Sequence, residues 1–358
     1  KPDSIGSIMA ISIPNVFVVQ ASKLKYLIPI VAGLAYYYIR RTRKPRWLKV
    51  GKITELWLYP VKSMNGIQLT EADVTLLGLM KDGIRDRSYI VLKEEECMET
   101  GRTNSRSLLI HPRITGGRLE LHTDEIDPLV VPPVDINATQ VKTVKVWDSY
   151  RAGVDFGDDV ADWINKSLKR TLPGDEGRNT PKKDYNYRLL GFLPRVYRPD
   201  HGSGRGKNEI DDEHIYSDLV PITILNEASL DDVNSKLGSD SQVNHRHFRP
   251  NIVIRTERPF QEDDWSMVRI NNCTFKVLAP TTRCLFTTVN PDSGVTDKNR
   301  EPIKTLRTYR LHEDPQERRK DPTPRMGIGI RSEKDGVIRA GEDVFVTLAT
   351  KKWCLWRR

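Results

Sequence analysis

Apolar and polar residues alternate along several short stretches of this chain, as they do in strands that bury one face. The first stretch, residues 50–63, sets Ile53, Leu56 and Leu58 among polar neighbours and ends in the polar pair Lys62 and Ser63. Runs of the same kind follow at fairly regular spacing, at residues 87–93, 117–123 and 141–156. The last of these predicts a β-hairpin, and residues 336–348 predict a turn and a closing strand.

Two segments instead show apolar residues at helical spacing. In residues 158–170 the apolar positions from Val160 to Leu168 recur every three or four residues. Residues 226–237 repeat the pattern behind Asn226, which is a favourable N-cap. Many strands with few helices predict an α+β chain built on a sheet or a partly closed barrel.

The N-terminal region contains an uncharged apolar run at residues 26–39 that is followed at once by a basic stretch. A helix needs about 20 apolar residues to span a bilayer comfortably, so the run is short for that purpose. The tyrosines at 36–38 and the flanking Lys25, which can extend towards the headgroups, favour a membrane anchor over a buried helix. We therefore expect a disordered segment at 1–22 and a single membrane anchor with its basic flank at 23–49.

Basic residues are more numerous on the C-terminal side of the apolar run, which predicts that everything after residue 40 faces the cytosol. A weakly apolar anchor with basic flanks suits the mitochondrial outer membrane, and the endoplasmic reticulum stays open as an alternative. A buried helix in place of the anchor also stays open.

The formal net charge of +9 is concentrated in the same N-terminal region. Residues 1–49 hold nine Lys or Arg and one Asp, which leaves 48 basic and 47 acidic residues for 50–358. Nucleic-acid binding needs a basic face on the folded domain, and the nearly neutral remainder argues against it.

A change of composition divides the rest of the chain into two halves. Gly, Pro and charged residues dominate between about 172 and 213. Such a stretch is typical of a domain boundary. We expect a first domain at 50–172, a connecting segment at 173–215, a second domain at 216–349 and a tail at 350–358.

Several common enzyme classes lack their motifs here. The sequence has no HExxH, GxSxG, phosphate-binding Walker loop or GxGxxG, which argues against a zinc hydrolase, an NTPase and a dinucleotide-binding oxidoreductase. Four cysteines lie far apart, at Cys97, Cys273, Cys284 and Cys354. Their spacing argues against a disulfide framework or a structural zinc site and favours a reducing compartment.

A set of cationic and small polar residues lies where the apolar runs begin or end. Its members are Lys62, Ser63, Arg85, Arg87, Asp218, Arg249, Asn251, Thr282, Arg283 and Cys284. Each alone has an ordinary interpretation, such as a surface ion pair or, for a lone cysteine, a small buried residue. Together they predict cations gathered around a polyanion, since Arg binds phosphate bidentately and Lys supplies a point charge. A cation next to a thiol also favours the thiolate that a soft metal requires.

Four of these motifs, in order, resemble the two MOSC domains. They are YPVKS, RDR, FRPNIVI and TRCLFTTVNPDSG, and the resemblance extends over residues 50–349. Within that superfamily the chain is most similar to the mitochondrial amidoxime reducing component family, because SDLVP is followed by EASL and later by EPIKTLRTYR. The resemblance implies a β-rich MOSC N-terminal domain, then a MOSC β-barrel-like domain with a few helices.

The resemblance also implies a molybdenum cofactor, Mo-molybdopterin, with Cys284 as the thiolate ligand of the metal. Seven residues fall where the family holds the pterin and its phosphate, namely Lys62, Ser63, Arg87, Arg249, Asn251, Thr282 and Arg283. Asp218 falls beside the cofactor, where it would orient a ligand or relay a proton. The chain departs from the family just after that position, because Leu219 and Val220 replace small hydroxyl residues.

The activity that the resemblance implies is reduction of small N-hydroxylated compounds such as amidoximes. Electrons would come from NADH through NADH-cytochrome b5 reductase and cytochrome b5, since the chain shows no flavin or nicotinamide motif. Two alternatives stay open. One is sulfur transfer like that of molybdenum-cofactor sulfurase, whose pyridoxal-phosphate-dependent domain we do not expect in front of residue 50. The other is a non-catalytic, membrane-tethered cofactor carrier or adaptor.

Overall fold

The computed structural model describes residues 46–349 except 95, 136, 138–139, 148, 170–184, 194–214 and 219, and it also describes residue 29. Four predictions fall outside the described residues. They concern the N-terminal segment 1–22, the anchor up to residue 45, the tail 350–358 with Cys354, and the departure at Leu219. No helix within the described ranges is long and apolar enough to cross a membrane. The compact unit described below begins at Trp47.

Strands form most of the regular structure in the described part of the chain. In chain order they are β1 (Leu48–Leu58), β2 (Ile67–Leu69), β3 (Glu71–Thr75), β4 (Gly78–Lys81), β5 (Ile84–Arg85), β6 (Tyr89–Lys93), β7 (Cys97–Met98), β8 (His111–Thr115), β9 (Arg118–His122), β10 (Leu129–Val130), β11 (Val141–Val146), β12 (Ser149–Asp155), β13 (Tyr187–Phe192), β14 (Ile222–Asn226), β15 (Ile252–Thr256), β16 (Trp265–Ile270), β17 (Cys273–Thr282), β18 (Arg325–Lys334), β19 (Gly336–Arg339) and β20 (Asp343–Leu348).

Eight of these strands form one large sheet in the order β15-β14-β18-β17-β16-β20-β1-β2. Strand β1 also pairs antiparallel with β15, so the sheet closes on itself as a barrel. Closure hides the open strand edges that would otherwise invite aggregation. Apolar side chains such as Leu56, Ile254 and Val346 are fully buried and belong to the largest core cluster. Hereafter this sheet is called the large barrel.

A second, smaller closed barrel consists of β11-β12-β13-β6-β7. Its β11–β12 hairpin pairs from Val141 with Val154 to Val146 with Ser149, which confirms the hairpin predicted at 141–156. The remaining strands form two further sheets, β10-β9-β8 and β19-β3-β4-β5. Two barrels with few helices confirm the α+β class.

Four α-helices occur in the described residues, at α1 (Asp158–Leu168), α2 (Glu227–Asn234), α3 (Ile303–Tyr309) and α4 (Pro315–Lys320). The first two confirm the helices predicted from periodicity, and the Asn226 side chain accepts a hydrogen bond from the Ala228 N–H at 3.1 Å as the N-cap of α2. The other two were not predicted. Helix α3 buries only Ile303 and Leu306, and α4 buries nothing, so neither has enough apolar positions to show a helical period. Short 3-10 helices lie at Ser105–Leu109, Ser239–Ser241, His245–His247, Gln261–Asp264 and Leu285–Thr288.

The large barrel takes strands from both predicted halves of the sequence. Strand β1 lies in the first half but closes the large barrel, whose other long strands all lie in the second half. Strand β13 lies inside the predicted connecting segment 173–215, yet it pairs with β6 and β12 in the small barrel. This apolar strand is only six residues long and has charged stretches on both sides, so the composition of the segment does not reveal it.

Candidate functional site

An open pocket lies at the strand ends where the predicted polar residues converge. Eight of the nine predicted site residues line it, namely Lys62, Ser63, Arg87, Asp218, Arg249, Thr282, Arg283 and Cys284. They come from different elements: Lys62 and Ser63 follow β1, Arg87 precedes β6, and Cys284 follows β17. The fold therefore brings together residues that are more than 200 positions apart in the chain.

Four of the lining residues hold an unusual backbone conformation. The φ angles of Ser63, Arg87, Trp147 and Arg249 are 70°, 51°, 54° and 52°, in the left-handed region that residues with side chains seldom adopt. Each such residue costs about 1–3 kcal/mol and persists only where the surrounding structure imposes it. Strained residues of this kind are typical of binding sites, and all four line one pocket.

The pocket carries an excess of positive charge. Its described lining includes five cationic side chains (Lys62, Arg87, Arg102, Arg249 and Arg283) and a single carboxylate, Asp218. A second carboxylate, the buried Asp86, lies behind the lining and is bonded to Arg87. Burial lowers the pKa of Arg249 and that of Arg283 to about 10, so both stay cationic at neutral pH. Buried charges of one sign need a partner, and this pocket is therefore suited to an anionic ligand.

Arg249 presents a free donor in this cluster. Its guanidinium donates to the Met64 carbonyl and lies 4.3 Å from the centroid of the Tyr59 ring. Its Nη2 atom is buried and has no hydrogen-bond partner among the described residues. A buried cationic N–H without an acceptor is costly, which points to an acceptor on a ligand.

Acceptors of the protein itself occupy most of the hydrogen-bond donors of Arg283. Its Nε donates to the Met326 carbonyl at 2.8 Å, its Nη1 to the Phe248 carbonyl at 2.8 Å, and its Nη2 to Thr281 Oγ1 at 2.7 Å. Arg283 as a whole is 8% exposed. Arg283 therefore fixes the loop that follows β17 and adds positive charge beside Cys284, rather than offering a full set of donors to a ligand.

Cys284 is the exposed thiol of the pocket. It lies two residues after the end of β17, and its carbonyl accepts the Thr287 N–H at 3.1 Å, which fixes the start of the 3-10 helix Leu285–Thr288. The other two described cysteines differ: Cys273 is buried, which raises the pKa of its thiol to about 11, and Cys97 does not line the pocket. A soft metal in this pocket would have one described thiolate within reach.

Asn251 and Arg85 lie outside the pocket. Asn251 is fully buried, with Oδ1 accepting the Thr223 N–H at 3.1 Å and Nδ2 donating to the Trp57 carbonyl at 3.3 Å. Its Oδ1 also accepts a 3.4 Å hydrogen bond from Arg87, so Asn251 positions that arginine. The Arg85 Nη1 atom donates to Thr75 Oγ1 at 2.9 Å.

Asp218 lies at the mouth of the pocket with its side chain 60% exposed. Its Oδ1 accepts hydrogen bonds from Lys62 Nζ and, at 2.7 Å, from Trp147 Nε1. The enclosing walls of the pocket by themselves would raise the pKa of Asp218, but the Lys62 ammonium outweighs them and holds the pKa below its usual range. Burial lowers the pKa of Lys62 in turn, although Asp218 opposes that effect.

Among the lining residues that sequence reasoning missed are Arg102 and Trp147. Arg102 follows β7 and Trp147 lies in the β11–β12 turn, so both come from the small barrel. Neither sits in a motif or at a spacing that suggests chemistry. Only the packing of the small barrel against the strand ends of the large one brings them to the pocket.

Comparisons with known proteins agree with this architecture. The MOSC N-terminal beta barrel domain matches residues 50–171 and the MOSC domain matches residues 211–345. Mitochondrial amidoxime reducing component 2 of Bos taurus is 32% identical over 317 residues, which cover 87% of this chain and 88% of that protein. Mitochondrial amidoxime-reducing component 1 of Homo sapiens is 35% identical over 311 residues, or 85% of this chain and 86% of the relative.

Proposed function

This chain belongs to the mitochondrial amidoxime reducing component family of MOSC-domain proteins, and we propose that it is a molybdenum-cofactor-dependent reductase of N-hydroxylated compounds. The observation that supports this most is the placement of an exposed thiol, Cys284, in a pocket with five cations and one carboxylate. A thiolate binds a soft metal, and the surplus cations fit the phosphate of a pterin.

The residues present fit this cofactor in chemistry and number. Cys284 would bind molybdenum as a thiolate. Arg249, with its unpartnered Nη2, would bind the phosphate together with Arg87 and Lys62. The small hydroxyl residues Ser63 and Thr282 would donate to or accept from the pterin ring. Arg283 would act on the cofactor through its positive charge beside Cys284, and Asn251 would act by positioning Arg87.

The proposed reaction takes an amidoxime, two electrons and two protons to an amidine and one water, with cleavage of the N–O bond. The bound molybdenum cofactor would supply the two-electron chemistry, and the protein orients the substrate and handles protons. Asp218 stays anionic at neutral pH and accepts from Lys62 Nζ at the pocket mouth. This pair can pass a proton from solvent towards the N-hydroxyl oxygen as it leaves.

We propose that the electrons come from NADH through NADH-cytochrome b5 reductase and cytochrome b5, because the sequence carries no dinucleotide fingerprint. The same proposal places the protein in the mitochondrial outer membrane with its pocket facing the cytosol. The names of its relatives support mitochondria, and the apolar run at 26–39 supports an anchor. Recovery of the full chain in the cytosolic fraction of lysed cells would contradict the anchor.

Reconstitution tests the electron route. The purified, molybdenum-loaded protein is mixed with benzamidoxime, NADH, cytochrome b5 and its reductase, and each component is left out in turn. Benzamidine should form only in the complete mixture, at a rate that falls as salt rises, because charge-steered encounters weaken over a Debye length of about 8 Å. Turnover with NADH and this protein alone would reveal an internal donor site. No turnover in the complete mixture would favour sulfur transfer or a carrier role instead.

A further inference from the structure

Trp147 is an unexpected residue at the mouth of the pocket. It lies in the turn between β11 and β12 of the small barrel, with a left-handed φ of 54°. Hairpin turns with positive φ favour Asn or Gly, and a bulky aromatic residue is disfavoured there. The chain nevertheless places an indole ring at this position, where it lines the pocket. A costly backbone conformation of this kind points to a role for the side chain.

The indole ring is held on its edge and on one face. Its Nε1 donates to Asp218 Oδ1 at 2.7 Å, and the guanidinium carbon of Arg102 lies 4.6 Å from the ring centroid. The residue is still 42% exposed. Trp147 therefore forms a fixed, partly accessible aromatic wall on the way to Cys284.

Asp218 keeps one acceptor atom available beside this wall. Both of its hydrogen bonds from described residues, those of Lys62 and Trp147, arrive at Oδ1. Oδ2 receives none from the described part of the chain, and Asp218 is exposed at the pocket mouth. An aromatic face beside a carboxylate acceptor fits a flat conjugated molecule that carries an N–H donor.

We propose that Trp147 determines substrate specificity: its ring packs against the flat body of an aromatic N-hydroxylated substrate, and its N–H holds Asp218 in place to accept the substrate's N–H. This inference rests on the proposed reductase function and names a class of substrate within it. The competing explanation is that Trp147 only links the small barrel to Asp218. The two explanations differ in whether aromatic and aliphatic ligands are affected equally.

The test compares Trp147→Ala and Trp147→Phe with the unaltered protein and with Tyr150→Ala. Tyr150 is an aromatic residue of the same hairpin that does not line the pocket, so its replacement controls for damage to the hairpin. Steady-state kinetics give KM and kcat for benzamidoxime and for acetamidoxime. Calorimetry gives the Kd of the products benzamidine and acetamidine, which requires no turnover.

Trp147→Ala should raise KM and Kd about three- to tenfold for the aromatic pair, and less than twofold for the aliphatic pair, because only the aromatic body loses a stacking partner. Trp147→Phe keeps a ring and should retain most of the aromatic preference even if the alanine variant folds poorly. Tyr150→Ala should leave KM and Kd unchanged for both the aromatic and the aliphatic pair.

Equal effects on aromatic and aliphatic ligands, or no effect on either, would overturn the specificity role. If the protein reduces no amidoxime but binds benzamidine with the predicted dependence on Trp147, the reductase proposal fails and the binding role stands. If it reduces both substrates with unchanged constants in Trp147→Ala, the reductase stands and the specificity role fails.

Discussion

Arg249 shows at the scale of one residue why this pocket requires a ligand. Its backbone is left-handed at φ 52°, its guanidinium packs 4.3 Å from the Tyr59 ring centroid, and its Nη2 has no partner among the described residues. Arg249 therefore combines a strained backbone with a buried N–H donor that no described acceptor satisfies. A phosphate oxygen would complete it.

Replacing Arg249 by alanine should therefore weaken retention of the pterin by about 10- to 100-fold, the range expected for a lost hydrogen bond to a charged group. Pterin retention by Arg249→Lys should lie between that of the unaltered protein and that of Arg249→Ala, since lysine keeps the charge but not the bidentate geometry. Arg85→Ala is the matched control, because Arg85 belongs to the same RDR motif as Arg87 yet donates to Thr75. Pterin content measured at intervals of dialysis gives the comparison, and equal losses in Arg85→Ala and Arg249→Ala would contradict it.

Arg249 and Arg85 show how far the sequence alone can locate a site residue. Motif and residue type predicted Lys62, Arg87, Arg249 and Cys284, and all four line the pocket, because few kinds of side chain suit a metal or a phosphate. They do not separate a side chain that faces the pocket from one that faces away, as in Arg85, nor a lining residue from a supporting one, as in Asn251. Trp147 carries no signal at all, because its role depends on contact between distant elements.

At the scale of elements, Glu262 anchors the start of α2 from the 3-10 helix Gln261–Asp264. Its carboxyl is fully buried and accepts from Asn226 Nδ2 at 3.0 Å and from Ser229 Oγ at 2.9 Å. Burial, aided by the charge of Asp263, raises its pKa to about 7. The native state therefore keeps a proton on Glu262 at pH values where the unfolded chain has lost it.

This makes stability depend on pH in a defined direction. Between about pH 4.5 and pH 7 the native state binds the extra proton, so the contribution of Glu262 to the free energy of unfolding falls as pH rises and is constant above about pH 7. The shift corresponds to about 3 kcal/mol at most. Chemical denaturation of Glu262→Gln and of the unaltered protein at pH 5 and pH 8 should show the variant gaining relative stability at pH 8. An equal difference at both pH values would show that Glu262 ionises normally.

Local patterns predicted some elements well and others poorly, for physical reasons. The β11–β12 hairpin and helices α1 and α2 have clear apolar periods, and all three are present. Helices α3 and α4 are short and bury few residues, so tertiary contacts rather than an apolar stripe determine them. Strand β13 is visible only through its pairing with β6 and β12.

At the scale of the whole molecule, the two barrels are interleaved in sequence. Strand β1 closes the large barrel although it lies more than 160 residues before the next long strand of that sheet. Lys62 and Ser63 lie in the loop after β1, which carries them to the strand ends that hold Arg249 and Cys284. A boundary predicted from composition divides the chain at 173–215 and cannot show that a strand of the first half closes the large barrel. The pocket thus depends on both halves: the first supplies Lys62, Arg87 and Arg102, and the second supplies Arg249, Arg283 and Cys284.

Binding of molybdenum through Cys284 is tested most directly by the metal and pterin content of the purified protein. Elemental analysis and pterin fluorescence should give close to one molybdenum and one pterin per chain. Cys284→Ser should lose the metal and the activity while it keeps some pterin through the phosphate contacts, whereas Cys97→Ser, Cys273→Ser and Cys354→Ser should keep both. A protein without molybdenum after expression in a cofactor-producing host, or a Cys284→Ser variant with full metal content and activity, would contradict the account.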